Sequence, residues 1–188
     1  MLARKKQFYT DIDGVLLNLE EKMRKYIARG KNLLPHQLPI SSCYSLEDGY
    51  GITSGDFLLA LNKAVKERAD LFHGAPEFVR ALQSRGFQVV GISTRYDAEA
   101  EWAVRRDTES LGLDELIIVR TNGEKIPYFQ PGGFYFDDMP MQAAEAAENG
   151  CHSYLMSRKY NQHCLDLGGY TRVWGYEHLL RKIETVPQ

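Results

Sequence analysis

The chain has 188 residues, 44% apolar and 26% charged, which suits one soluble domain carrying a modest insertion. A formal net charge of −2 provides no global field for a polynucleotide, so a small anionic substrate would need local cations. Cys43, Cys151 and Cys164 are odd in number and form no CxxC pair, which argues against a disulfide framework or a zinc site and fits a reducing cytoplasm. No apolar run approaches the ~18–20 residues of a membrane span. Met1-Leu2-Ala3-Arg4-Lys5-Lys6 leads into a strand rather than a signal-peptide core.

In chain order, the aromatic and β-branched content of 7–12 predicts a strand. Leu16, Leu19, Met23, Tyr26 and Ile27 recur at helical spacing, so a helix is expected over 16–28, with Lys22, Arg24, Lys25 and Arg29 on a solvated face. Residues 31–56 are punctuated by Pro35, Pro39, Ser41, Ser42, Gly49, Gly51 and Gly55 and read as an irregular excursion into a helix over 56–68. Pro76 suits the first turn of a helix to about residue 85. Strands are then expected at 87–92, 116–119, 134–136, 153–156 and 171–174, with helices at 98–111, 141–148 and 176–183. This alternation implies an α/β fold, a parallel sheet covered by helices on both faces. Residues 1–16 and 74–188 form the expected core, and 17–73 a small, mainly helical cap inserted between the first two core strands.

Four stretches stand out because each places reactive groups where a strand should end. In Phe8-Tyr9-Thr10-Asp11-Ile12-Asp13-Gly14-Val15 an apolar run stops in two acids and a glycine. Side chains alternate along a strand, so a straight strand would turn Asp11 and Asp13 towards one site. One can act as a nucleophile and the other as general acid and base. An EF-hand loop does not fit, because its glycine belongs at position six and Gly14 would be at four. A helix cap is the simpler alternative.

Ser93-Thr94-Arg95 ends a second strand and offers hydroxyl and backbone N–H groups to an anion, although Ser93 or Thr94 as a helix cap is the commoner role. Lys125 follows a turn at Thr121-Asn122-Gly123, and no other lysine lies between Lys66 and Lys159. It could hold phosphoryl oxygens, or be a solvated surface lysine. Phe134-Tyr135-Phe136-Asp137-Asp138-Met139-Pro140 is the second acid-tipped strand. Buried carboxylates must be paired or hold a metal, so two such tips side by side predict a divalent cation. Adjacent acids diverge, so one is expected on the metal and the other on Lys125 or a metal-bound water. Magnesium suits one or two carboxylates plus waters and a substrate phosphate.

In this order the four stretches resemble the four motifs of the haloacid dehalogenase (HAD) superfamily: hydrophobic-DxDGV, hydrophobic-Ser, Lys, and hydrophobic-DD. The resemblance spans Phe8 to Pro140. It implies a Rossmann-like core, Asp11 as nucleophile, Asp13 as acid and base, and phosphate contacts from Ser93 and Lys125. It also implies Mg2+ held by Asp11, the Asp13 backbone carbonyl and an acid of the Asp137–Asp138 pair, commonly the second, here Asp138. Superfamily dehalogenases lack the second acid of the first motif, so Asp13 favours phosphoryl transfer over dehalogenation.

Chain length, cap position and the tail Tyr154-Leu155-Met156 … Lys159-Tyr160-Asn161 resemble the 5′(3′)-deoxyribonucleotidase family, implying a nucleoside monophosphate as substrate. Tyr44, Tyr50 and Phe57 could stack on a base or fill the cap core. His36, His73, His152, His163 and His178 show no ligand spacing. Ser93-Thr94-Arg95 also resembles the Ser-Gly-Arg of polynucleotide-kinase 3′-phosphatase domains, which keeps Thr94 and Arg95 as candidate substrate contacts. The net charge argues against a stable nucleic-acid partner, no membrane partner is expected, and a homodimer is left open. A non-catalytic binding protein on this fold is the remaining alternative.

Overall fold

Six short apolar runs pair side by side into one all-parallel sheet in a computed structural model that describes residues 6–38, 46–165 and 167–186. They are β1 (Lys6–Asp11), β2 (Phe87–Thr94), β3 (Glu115–Val119), β4 (Phe134–Asp137), β5 (His152–Met156) and β6 (Tyr170–Val173). Their order across the sheet is β3-β2-β1-β4-β5-β6. The chain builds outward from β1 on one side, then returns to start again at β4 on the other. That reversal leaves a crevice beyond the carboxyl ends of β1 and β4, where ligands bind in doubly wound sheets.

Alternation along the strands gives each sheet face its own core. On one face Phe8, Val89, Phe134 and Phe136 are buried with Phe78 and Leu82 of α4 (Ala75–Ser84) and with Leu179 and Ile183 of α7 (Tyr176–Glu184). On the other, Tyr9, Val90, Ile92 and Tyr135 pack with Phe129 and with Ala146 of α6 (Pro140–Glu148). Helix α5 (Ala98–Thr108) adds Val104 to the first core. The aromatic contacts are specific: the Phe78 ring stacks on Tyr176 at 4.6 Å between centroids and meets Phe8 and Phe136 edge-on. Gly91 is closely approached: a Cβ there would lie 2.8 Å from Ile12 Cδ1 and 2.9 Å from Leu113 Cδ1, so a larger residue would have to displace these side-chain ends.

Between β1 and α4 the chain makes a helical excursion. Two strand-like passes carry it out and back, with Asn18 N–H donating to Asp70 O and Phe72 N–H to Leu16 O, both at 2.9 Å. Sequence periodicity places the start of the first helix at residue 16, whereas these bonds tie 16–18 to 70–72 and α1 runs Leu19–Gly30. Asn18 caps it, its Oδ1 accepting from Glu21 N–H. Helix α3 (Ser54–Lys66) is capped by Thr53 and packs on α1 through Leu19, Met23 and Ala64, with Phe57 and Leu61 beside them.

A short helix α2 (Leu46–Tyr50) was masked in the sequence by Gly49 and Gly51; Tyr50 anchors it in a second cluster with Ile27, Ala28, Leu38 and Ala60. Arg4, Lys5, Pro39, Ser41, Ser42, Cys43 and Tyr44, singled out in the sequence, lie outside the described residues. Two contacts tie this excursion to the β2–α5 side of the core: Lys66 to Glu99 at 2.7 Å, and Ala69 N–H donating to Asp107 at 2.8 Å. No helix among the described residues is long and apolar enough to cross a membrane.

Phe78 bridges β1, β4 and α7, so Phe78→Ala should destabilise the fold by about 3–5 kcal/mol. An unfolding free energy, measured in urea, lowered by less than a third of that would show that Phe78 is not a keystone of this core.

Candidate active site

β1 ends at Asp11 because the chain turns there: Leu16 and Leu17 N–H both donate to Ile12 O at 2.8 Å, and Gly14 N–H donates to Leu17 O at 2.9 Å. Gly14 has φ +71°, and a Cβ there would fall 2.1 Å from Asp138 Oδ2. Only glycine fits both the left-handed backbone and the approach of that carboxylate. The turn also separates the two acids of the first motif. A straight strand would have aimed Asp11 and Asp13 at one point; here Asp11 joins a buried cluster, while Asp13 turns to Arg95.

The cluster consists of Asp11, Asp137 and Asp138, each with a carboxylate oxygen within 4.8 Å of the others. Lys125 enters it from a 3-10 segment, Asn122–Tyr128, that continues past the turn expected from sequence. That segment directs Lys125 inward until 2% of it is exposed. Its Nζ donates to Asp11 Oδ1 at 2.5 Å and lies 3.5 Å from Asp137 Oδ2. Burial disfavours its charge, but the Asp11 and Asp137 carboxylates more than offset this and raise its pKa, so Lys125 stays an ammonium. The surface reading of Lys125 is excluded.

The two acids of the last motif differ in environment. Asp137 is saturated with donors: Tyr135 OH on Oδ2, Met139 N–H on Oδ1 at 2.8 Å, and Lys125 nearby. Among the described residues the Asp138 carboxyl accepts from the Tyr160 hydroxyl on Oδ2 and from its own backbone N–H, while its backbone carbonyl accepts from Asn161 Nδ2 at 2.7 Å. Burial, then the Asp137 charge, push the Asp138 carboxyl up to about 7. Burial likewise lifts Asp11 well above its ordinary value, against the pull of Lys125.

Asp13 and Arg95 form the second unit. Arg95 follows β2, and its two terminal nitrogens grip Asp13 at 2.5 and 3.0 Å in a two-pronged pair. The guanidinium is 5% exposed and also donates to Thr94 O at 2.8 Å. Its Nε and the Ser93 hydroxyl are buried without a protein partner. Ser93 lies one position beyond Ile92, the register partner of Asp11, and so at the edge of the crevice. Thr94 is committed elsewhere: its hydroxyl donates to Asn122 Oδ1 at 2.7 Å, fastening β2 to the segment that carries Lys125.

Three carboxylates facing one ammonium leave an excess of two negative charges in a buried, oxygen-only donor set. Those residues fit a hard divalent cation. Sequence reasoning missed the second layer around them, Tyr135, Arg158, Tyr160 and Asn161. Arg158 donates to Gly14 O at 2.6 Å and to Val15 O at 3.2 Å, holding the first motif from behind. Tyr160 and Asn161 stand out in the sequence only as part of the tail that resembles the 5′(3′)-deoxyribonucleotidases, without a role at the site, and Arg158 only by its place just beyond a parallel strand. Tyr50 is buried and Phe57 half-buried in the two clusters of the helical excursion, which supports packing over base stacking for both. The His152 ring lies against Phe134 at 5.0 Å, consistent with a structural role.

No protein-family profile matches the chain, and no curated protein sequence does either. Its fold is nevertheless that of known HAD-type hydrolases. YfnB of Bacillus subtilis, described as a HAD-hydrolase and bound to magnesium, superposes with TM-score 0.60 at 15% identity over 96% of this chain and 99% of that one. A dehalogenase in an intermediate complex gives 0.60 at 13% over 97% and 98%. Phosphoserine phosphatase from T. onnurineus gives 0.57 at 22% over 97% and 96%. The six-stranded parallel sheet with its covering helices is therefore a HAD-like, Rossmann-type architecture.

The raised carboxyls dictate a pH dependence. Between pH about 4 and 7 the metal-free folded protein keeps protons that the unfolded chain has released. The unfolded state binds fewer protons there, so stability falls as pH rises through that window. The melting temperature in EDTA should drop from pH 5 to pH 8, and Asp138→Asn should flatten the decline. Equal slopes in the two proteins would contradict the assignment.

Proposed function

We propose that the protein is a magnesium-dependent phosphomonoester hydrolase that works through an aspartyl-phosphate on Asp11. The observation that carries this reading is the buried Asp11–Lys125–Asp137 bridge beside Asp138, at the switch point of a sheet whose structural neighbours include a phosphatase. A structural ion pair would not need the further acid. Asp11, Asp138 and the Asp13 backbone carbonyl would hold the cation, which when bound neutralises phosphoryl oxygens. Asp137, saturated by Tyr135, Met139 and Lys125, acts instead as the anchor of Lys125.

The chain's own groups then divide the work. Ser93, Lys125 and Arg95 offer donors to the phosphoryl oxygens, Lys125 and Arg95 as fixed charges. An Asp11 oxygen attacks phosphorus in line. The bond to the ester oxygen breaks as Asp13 gives that oxygen a proton. Asp13 next takes a proton from water as the water oxygen attacks the phosphorus. The Asp11 bond breaks and inorganic phosphate leaves, with the Asp11 carboxylate regenerated and Asp13 again holding the proton that the next leaving group needs. In the resting structure Asp13 is clamped by Arg95. The incoming phosphate competes for that guanidinium and frees Asp13 to carry the proton.

Within this class a nucleoside monophosphate is the proposed substrate. Its support is the likeness of residues 154–161 to the 5′(3′)-deoxyribonucleotidases and the helical excursion inserted between β1 and β2, which would serve as a small cap.

Phosphate release from nucleoside monophosphates, sugar phosphates and a 3′-phosphorylated oligonucleotide, with Mg2+ and with EDTA, tests the reading. Metal-dependent release from nucleotides is expected. Release from the oligonucleotide alone would move the protein to end processing, and no release from any would remove the enzyme reading. Asp11→Asn should abolish turnover, and Asp13→Asn should lower kcat by about 10²–10⁴-fold. Normal rates in folded Asp11→Asn protein would refute the covalent mechanism.

A further inference from the structure

The segment that follows β5 encloses Asp138 on the side away from Lys125. Asn161, fully buried, donates through Nδ2 to both Asp138 O at 2.7 Å and Met156 O at 2.8 Å. Its Oδ1 accepts from Arg158 N–H at 2.9 Å and from Arg172 at 3.1 Å. This fixes the backbone of Tyr160, whose hydroxyl donates to Asp138 Oδ2. The same Oδ2 is pressed against Gly14, where the missing Cβ leaves room for it and nothing more. One Asp138 oxygen is thus occupied from two directions.

From this arrangement we infer that Tyr160, seated by Asn161, sets the ion selectivity of the site by confining Asp138 to a single oxygen for the cation. The inference rests on the metal reading given above. Mg2+ demands near-ideal octahedral geometry at about 2.0–2.1 Å and is served by one oxygen from each carboxylate. Ca2+ takes about 6–8 oxygens at roughly 2.3–2.6 Å and readily accepts two from one carboxylate. A carboxylate with one arm held therefore favours the smaller ion. Tyr160 is a positioning residue: it acts through Asp138 and takes no part in bond making.

The test is calorimetric titration of substrate-free protein with Mg2+ and, separately, with Ca2+, for the wild type, Tyr160→Phe and Asn161→Ser. Melting temperatures in EDTA report whether each variant is folded. Outer-shell partners of metal ligands typically contribute about 10–100-fold in affinity. Tyr160→Phe should weaken Mg2+ by about tenfold or more while Ca2+ is kept or gained, so the Mg2+/Ca2+ affinity ratio falls at least tenfold. Asn161→Ser should shift the ratio the same way by less. A merely structural tyrosine would weaken both ions in parallel, and an unchanged ratio in folded Tyr160→Phe overturns the inference alone. A wild type that binds neither ion overturns the metal reading and this inference with it.

Discussion

The buried contact between Lys125 and Asp11 is the interaction around which the rest of the site is arranged. A lysine 2% exposed is stable as a cation only if carboxylates surround it, and carboxylates so buried are tolerable only beside a cation. Neither partner could be removed without leaving a buried charge unpaired. Asp137 extends the pair to a bridge, and donors from Tyr135 and Met139 fix Asp137 in turn. The third acid, Asp138, adds a carboxylate beyond those that bridge to Lys125, and offsetting it is the part proposed for a divalent cation.

Topology explains how four distant stretches of chain meet there. β1 lies between β2 and β4, so the ends of all three open into one crevice. Asp11 comes from the first strand, Ser93 and Arg95 from the second or just after it, and Asp137 and Asp138 from the third. Lys125 arrives from the segment after β3, which Thr94 fastens to the end of β2. The helical excursion over residues 17–73 leaves from Leu16–Asn18 and returns through Asp70–Phe72, beside the turn that holds Gly14. Arg158 grips the Gly14 and Val15 carbonyls and lies over the Phe72 ring at 3.7 Å. Any movement of this excursion would therefore be felt directly by the first motif.

Much of this was legible in the residues. Period-two and period-3.6 patterns give the strands and most helices to within a few residues, because burial against a sheet forces them. Asp11, Lys125, Asp137 and Asp138 stood out as charges at the ends of apolar runs, a placement too costly to be incidental. Other features were hidden for particular reasons. The 16–18 segment carries apolar residues that also fit a helix, and only its pairing with 70–72 decides the matter. The short helix ending at Tyr50 is held by burial of that ring, which overrides two glycines.

The sequence by itself determined the alternating architecture and the identity of the charged groups, since both follow from local pattern and from the cost of burying charge. Tertiary structure alone decided how those groups divide. It paired Asp13 with Arg95 instead of Asp11, because the turn after β1 aims the two acids apart. It gave Asp137 the donors Tyr135, Met139 and Lys125 and gave Asp138 the Tyr160 hydroxyl, because Tyr135 stands two residues before Asp137 on the same face and Tyr160 reaches in from the segment after β5. Tyr135 and Met139 are near in sequence, but Lys125 and Tyr160 come from other segments of the chain, and no local pattern records which of two adjacent acids they will reach.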